Sequence, residues 1–330
     1  MSGVFGKNIK ISLFGESHGS GVGALIDGFP SGIVLNYEFI ESELKRRCPS
    51  DEVFSTGRKE TDGFEILSGV CGGRTNGNPV CVFFRNNDTE KRENPEILRP
   101  SHYDLSAFLK HGENADFSGG GHSSGRLTAP LVFAGALAKQ LLNEKNIDVS
   151  AKIISVGGKT EKKEIDAALL SAKNSGDSLG GVLECVIKGC PFGLGSPLFG
   201  SAKSLISSAV FAIPAVNGLE FGIGFGGADK KGSEINDEIY IEDDKLCSFT
   251  NNCGGILGGT TNGEDIVFRV SIKPTPTISK EQRTVNIKTM ENTVLKAESR
   301  NDVCIAFRAL PVVEAAAALS ISDLLYDRNR

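Results

Sequence analysis

The plainest element in the chain is the alternation at 266–273. Ile266, Phe268, Val270 and Ile272 fall on one face, and Arg269, Ser271 and Lys273 on the other. That period of two predicts a half-buried strand. Shorter runs of strand character lie at 10–14, 22–27, 64–70, 79–84 and 181–188. Helical spacing takes over between them. In 37–47 Phe39, Ile40 and Leu44 share a side, and Lys45, Arg46 and Arg47 crowd the last turn, where cations suit the helix dipole. Segment 128–142 is apolar nearly all round, which predicts a buried helix. Thr128 is its expected N-cap, with Pro130 in the first turn. Helices are also predicted at 165–173, 202–213 and 309–325, the last carrying a run of small residues from Ala315. The gap between 64–70 and 79–84 is too short for a crossover helix, so antiparallel pairs are expected. The fold class is α+β in layers, not a doubly wound parallel sheet.

Composition narrows the function. With 39% hydrophobic residues in 330, a large core is within reach, and disorder is excluded. Net charge is −5, from 36 basic and 41 acidic residues, so no general nucleic-acid surface is expected. The first residues, MSGVFGKNIK, lack the pattern of a signal peptide. No apolar run approaches the roughly 20 residues of a membrane helix. Eight cysteines occur without a C-x-x-C pair, which predicts reduced thiols, a cytoplasmic setting and no metal site. No linker or low-complexity tract divides the chain, so residues 1–330 are expected to form a single domain.

Candidate chemistry sits in glycine-rich loops at 15–19, 119–126 and 254–259. Such loops bring backbone N–H groups close to anions, and the middle one leads into a helix N-terminus. Any one of them alone reads equally as tight turns. Three of the four histidines lie in polar loops: His18 in GESHG, His102 in RPSHYD and His122 in GGGHSSGR. Together they suggest proton transfer near neutral pH. His111 fits a helix end. Arg46, Arg47, Arg58, Arg99, Arg126, Lys273, Arg300 and Arg308 cluster near the same segments, as in a pocket for anions. The prolines of KPTPT at 273–277 stiffen an extended segment. Asp302 is either an acid/base partner or a turn residue.

Taken together, GESHGSGVGALIDGFP at 15–30, RPSHYD at 99–104, GGGHSSGR at 119–126, GLGSP at 193–197, AVNGLEFG at 215–222, GGILGG at 254–259 and KPTPTI at 273–278 resemble the chorismate synthase family. The motifs follow the family's order over nearly the whole chain. The resemblance implies a β-α-β sandwich, with a helical layer between two antiparallel sheets, assembled as a homotetramer. It implies anti-1,4 elimination of phosphate from 5-enolpyruvylshikimate 3-phosphate to give chorismate, dependent on reduced FMN. NADPH or an external reductase would supply the electrons. By the same resemblance, His18 keeps the flavin correctly protonated and His102 protonates the departing phosphate. Asp302 with Ser17 relays the C6 proton through the flavin. Arg47, Arg58 and Arg126 hold substrate anions, and Arg47 is also the candidate contact for NADPH. Flavin contacts map to His122, Ser123, Ser124, Ala215, Gly258, Lys273, Pro274, Thr275, Pro276, Thr277 and Arg300.

The chain departs from the family pattern at several positions, Pro214 among them, where the family often has Asn. His122 and Leu127 stand where the family writes Arg and a carboxylate, Gly125 stands for Ala, and SDEVF at 50–54 lacks an expected Arg. The last departure predicts poor use of NADPH. Two other functions fit less of the sequence. A relative that binds flavin or anions without catalysis would accommodate the changes at 122–127, but His18, His102 and Asp302 are retained. A phosphotransferase is faintly suggested by 120–128, where Arg replaces the phosphate-loop Lys.

Overall fold

The computed structural model describes residues 3–48, 62–87, 89, 92–297 and 302–327. Five strands form the first sheet: β1 (Val4–Phe5), β2 (Lys10–Gly15), β3 (Gly21–Asp27), β4 (Glu65–Ser68) and β5 (Val80–Arg85), in the order β1-β2-β3-β5-β4. Four form the second: β6 (Asp148–Val156), β7 (Gly181–Lys188), β8 (Val216–Phe221) and β9 (Ile266–Ile272), in the order β8-β9-β7-β6. Every pair in both sheets is antiparallel. Between them lie α1 (Tyr37–Arg47), α3 (Thr128–Asn143), α5 (Ala202–Phe211) and α6 (Ala306–Leu325); α2 (Asp104–His111) and α4 (Lys162–Asn174) are the other described helices longer than two turns. Helix α3 packs on the first sheet, α6 on the second, and the two pack on each other. The layered α+β arrangement expected from the sequence is the one observed.

Period-two burial drives the sheets. The apolar face of β9 is fully buried, and Phe268 lies opposite Cys185 of β7 with Phe221 at 5.6 Å. On the other side, Phe133 of α3 meets Phe84 of β5 edge-on at 6.4 Å and Phe64 at 5.0 Å. The helical layer is tightest where α3 crosses α6. A Cβ on Gly135 would fall 2.1 Å from the Cβ of Ala315, so glycine is what lets the two backbones meet.

One buried carboxylate ties the layer together. Glu314 of α6 is 1% exposed. It accepts from both Nη atoms of Arg46 at 2.6 and 2.7 Å, from Lys139 of α3, and from the backbone N–H of Ala151 in β6 at 2.8 Å. Burial alone would raise its pKa, but Arg46 and Lys139 outweigh burial and hold it below the usual carboxylate range. At the far end of α6, Asp323 accepts the backbone N–H groups of Lys7, Asn8 and Ile9 at 2.6–3.0 Å, which joins the start of the chain to its last helix.

Several boundaries differ from expectation. The strand predicted at 64–70 breaks at Gly69, whose φ is +84°, and Val70–Cys71 turns into a separate short hairpin. Thr128 is not a cap: it is the first residue of α3, and its hydroxyl donates to the carbonyl of Gly125 at 2.6 Å. Helix α6 begins three residues earlier than its periodicity suggested and contains Pro311. Strand β8 escaped prediction because Gly218 and a register shift interrupt its alternation.

Replacing Gly135 with Ala is expected to destabilise the fold by about 1–3 kcal/mol, as overpacking does, and to lower the thermal midpoint by several degrees. An unchanged midpoint would show that α3 and α6 are free to separate.

Candidate active site

A cavity of about 540 Å³ opens where the β2–β3 turn, the loops at 99–104 and 119–126, the end of α1, the segment after β9 and the start of α6 converge. That volume lies within the roughly 300–1,000 Å³ of small-molecule pockets. All six segments are chain ends of the regular elements, so the layers fix where their side chains point.

His18 sits on the β2–β3 turn. Its Nδ1 lies 2.8 Å from the hydroxyl of Ser17, whose backbone N–H donates to the carbonyl of Gly121 at 3.1 Å. Asn86 holds the turn by donating to the carbonyls of Glu16 and Gly19 at 2.8 and 2.9 Å. The imidazole rests directly on Gly119, where a Cβ would fall 1.9 Å from its Cε1. The glycine run is therefore needed here to seat a histidine.

His102 is held from the other side. The hairpin Gln282–Asn286/Glu291–Leu295 fixes the approach to it through the N–H of Leu98, which donates to the carbonyl of Val285 at 3.2 Å. Nε2 of His102 lies 2.6 Å from the hydroxyl of Thr277. Burial, then the positive charge of Arg99, with Lys273 and Arg92 adding and Asp104 opposing, lowers its pKa to about 4. Surrounded by protein groups alone, the ring is neutral at neutral pH.

The lining arginines come with carboxylates. Arg47 is 5% exposed and donates through Nε and Nη2 to Oδ2 of Asp62 at 2.7 and 2.5 Å. Arg126 donates through Nη1 to Oδ1 of the same carboxylate and through Nε to Asn86 at 3.0 Å. Arg99 grips Asp104 with two bonds of 2.9 and 2.7 Å. Arg308 reaches Asp302 at 2.6 Å and the carbonyl of Arg47 at 2.8 Å. Lys273 differs, since its ammonium donates to the carbonyl of Ser101 at 2.9 Å. Burial would raise Asp62, but Arg47 and Arg126 prevail and depress it. Arg47 itself is pushed below its ordinary value by burial, against the pull of Asp62. An apolar wall of Ile213, Pro214, Ala215, Pro276, Ile305, Ala309 and Val312 faces these charges. Ala215 adopts φ +73°, which for a residue with a Cβ is strained.

The cavity brings together Ser17, His18, Arg47, His102, Ser123, Ser124, Arg126, Ala215, Lys273, Thr275, Pro276, Thr277 and Asp302. Asp302 is buried, and its carbonyl also accepts from the Thr275 hydroxyl at 2.9 Å, so it serves the site and its local turn at once. Three candidates are not among the lining residues. The His122 ring turns toward the first sheet, with Nδ1 3.0 Å from the carbonyl of Gly15, so it braces the His18 loop and does not face the cavity. Gly258 lies in the hairpin Ile256–Leu257/Thr260–Thr261, which packs on 195–202. Pro274 alternates away between Lys273 and Thr275, against Gly180. Arg58, Arg300 and the loop 50–54 lie outside the described residues. Asp62 and Asp104 were missed, because a lone aspartate in a polar segment carries no periodic signal.

Five cations, two histidines and an apolar wall around one cavity define a site for a multiply anionic small molecule. The family model for chorismate synthase matches residues 9–326. The chorismate synthase of Thermococcus kodakarensis is 44% identical, covering 98% of each chain. That of Dehalococcoides mccartyi is 40% identical over 98% of this chain and 96% of its own. A crystal structure of a chorismate synthase superposes with a TM-score of 0.78 at 29% identity, over 98% of this chain and 93% of that one. This chain belongs to the chorismate synthase family, lyases of aromatic biosynthesis. No helix among the described residues is long and apolar enough to cross a membrane.

Gly119→Ala is expected to displace the His18 ring, because a side chain yields more easily than backbone. Activity should fall while the thermal midpoint stays within a few degrees, and retained activity would detach His18 from its seat. The depressed His102 has a sign that can be checked. Its folded pKa of about 4 lies below the unfolded value near 6.5, so its contribution is complete above pH 6.5 and lost as pH falls toward 4. His102→Gln should narrow the stability difference between pH 7 and 4.5 by roughly 2 kcal/mol, measured by denaturant unfolding.

Proposed function

We propose that this cavity eliminates phosphate from 5-enolpyruvylshikimate 3-phosphate to give chorismate, with reduced FMN as cofactor. The observation that carries this reading is the convergence of His18, His102, Asp302 and the carboxylate-paired arginines on one cavity in a chain of this family. The lining fits both groups. Arg47, Arg126 and Lys273 offer charge to carboxylates and phosphate. Ser123, Ser124 and Thr275 to Thr277 offer hydroxyl and backbone donors to a flavin, and the apolar wall suits a planar ring system. The chemistry that reduced FMN would supply there is electron density, lent to the C–O bond and returned, with no net redox change.

The chain's own groups do the rest. His102 is the proton donor to the departing phosphate through Nε2. With protein groups alone around it, its pKa is about 4, and a phosphate dianion alongside raises that value, because opposite charge favours the protonated ring. Substrate therefore charges its own acid. His18, aligned by Ser17, holds the proton that keeps the cofactor in its reactive form. Asp302, paired with Arg308, and Ser17 take charge of the proton lost from C6. The acidic sequence at 50–54, which lacks the family's Arg, favours flavin reduced elsewhere over NADPH at Arg47.

The single-domain organisation over 1–330, a homotetramer and a cytoplasmic setting belong to the same reading. The tetramer is supported by apolar side chains left on the surface. Phe199 is 96% exposed and Leu198 81%, close in sequence to Phe192, and the hairpin Ile239–Glu242/Lys245–Ser248 exposes Ile239, Ile241 and Leu246. Patches of this kind on a folded chain mark contact surfaces.

Phosphate release by the purified protein with chemically reduced FMN and substrate tests the function. His18→Ala and His102→Ala should each lower turnover by roughly 10²–10⁴-fold with unchanged circular dichroism. Flavin binding without phosphate release would instead support the non-catalytic reading. A variant with native turnover would remove that histidine from the chemistry.

A further inference from the structure

Asp62 touches two of the proposed substrate anchors at once. Its carboxylate accepts from Arg47 at the end of α1 with Oδ2 and from Arg126, just before α3, with Oδ1. Cys48 adds a thiol contact to Oδ2 at 3.4 Å. The carboxylate is itself held firmly. Two residues on, Phe64 packs against the core, with Phe84 and Phe133 at 6.0 and 5.0 Å, which anchors the backbone that presents Asp62. The side chain is 1% exposed, and those of Arg47 and Arg126 are 7% and 8%. Two like charges would move apart at this depth, and a carboxylate between them both offsets their repulsion and sets their orientation.

We propose that Asp62 is the positioning residue for substrate binding: by bridging Arg47 and Arg126 it fixes the two guanidinium planes in the arrangement that receives the substrate's anionic groups. The inference rests on the reading of Arg47 and Arg126 as substrate anchors. Asp62 lies behind the arginines and acts through them. It also shares the cations with the ligand, so it sets how tightly an anion is held as well as where. Asp62 reaches the His18 turn at one remove, since Arg126 also donates to Asn86, which holds the carbonyls of Glu16 and Gly19; its direct contacts are with the anchors.

The consequence separates binding from chemistry. Asp62→Asn should raise KM for 5-enolpyruvylshikimate 3-phosphate by roughly tenfold or more and leave kcat within about threefold, the pattern of lost uniform binding. Inorganic phosphate should weaken as a competitive inhibitor by a similar factor. A merely structural ion pair would act differently, shrinking the active fraction and so lowering apparent kcat at constant KM. Asn leaves Arg47 buried without its counter-ion, so Asp62→Glu serves as a second variant that keeps the charge and displaces it. It should fold like the native protein and still raise KM by several-fold. Arg126→Gln is the control. If it leaves KM unchanged, the anchor reading fails. If it raises KM while both Asp62 variants keep the native KM and phosphate inhibition, the positioning role is overturned and the anchors stand.

Discussion

Like charges do not gather in one place unless opposite charge is already there. The cavity of this protein concentrates Arg47, Arg99, Arg126, Lys273 and Arg308, and its geometry follows from how that concentration is tolerated. Asp62 holds Arg47 and Arg126, Asp104 holds Arg99 and Arg92, and Asp302 holds Arg308, all by direct hydrogen bonds. Burial first, and then the same field by way of Arg99, Lys273 and Arg92, depresses His102. A neutral histidine among cations is thus poised to respond to an anion. Charge balance here governs side-chain orientation and protonation through a single set of contacts.

That balance needs a stiff frame, which the helical layer supplies. Arg47 ends α1, Arg126 precedes α3, and Arg308 lies in the first turn of α6. The buried network around Glu314 ties these three helices to one another and to β6. The close crossing at Gly135 fixes the distance between α3 and α6. An error in either place would spread to all three arginines, since each is rooted in a different helix of the same layer.

The alternation at 266–273 and the apolar face of 128–142 were enough to read the layers, because burial imposes its period directly on the residue types. The histidine loops were legible for a related reason: His18 and His102 stand in polar, glycine- or proline-flanked sequence that no core would select. What stayed hidden was pairing across long separations. His122 shares its loop with Ser123 and Ser124, yet a carbonyl of β2 turns it away from them. Asp62 and Asp104 become site residues only when folding brings arginines to them. No local pattern records a partner 64 residues away, as Arg126 is from Asp62.

The position of α6 has a further consequence for how the chain comes to be folded. This helix follows both sheets in the sequence, yet it lies between them, packed on α3 and on the second sheet, and its Asp323 closes on residues 7–9 across a separation of more than 300 residues. During synthesis, strands β1 to β9 emerge together with α1, α3 and α5, and the apolar surface that α6 covers on α3 and the second sheet stays open until that helix follows. The nascent chain must carry that exposed surface until its final helix leaves the ribosome. Contacts of such long range are slow to form and leave intermediates prone to association. The same arrangement that seals the finished core makes its completion depend on contacts between segments far apart in the sequence.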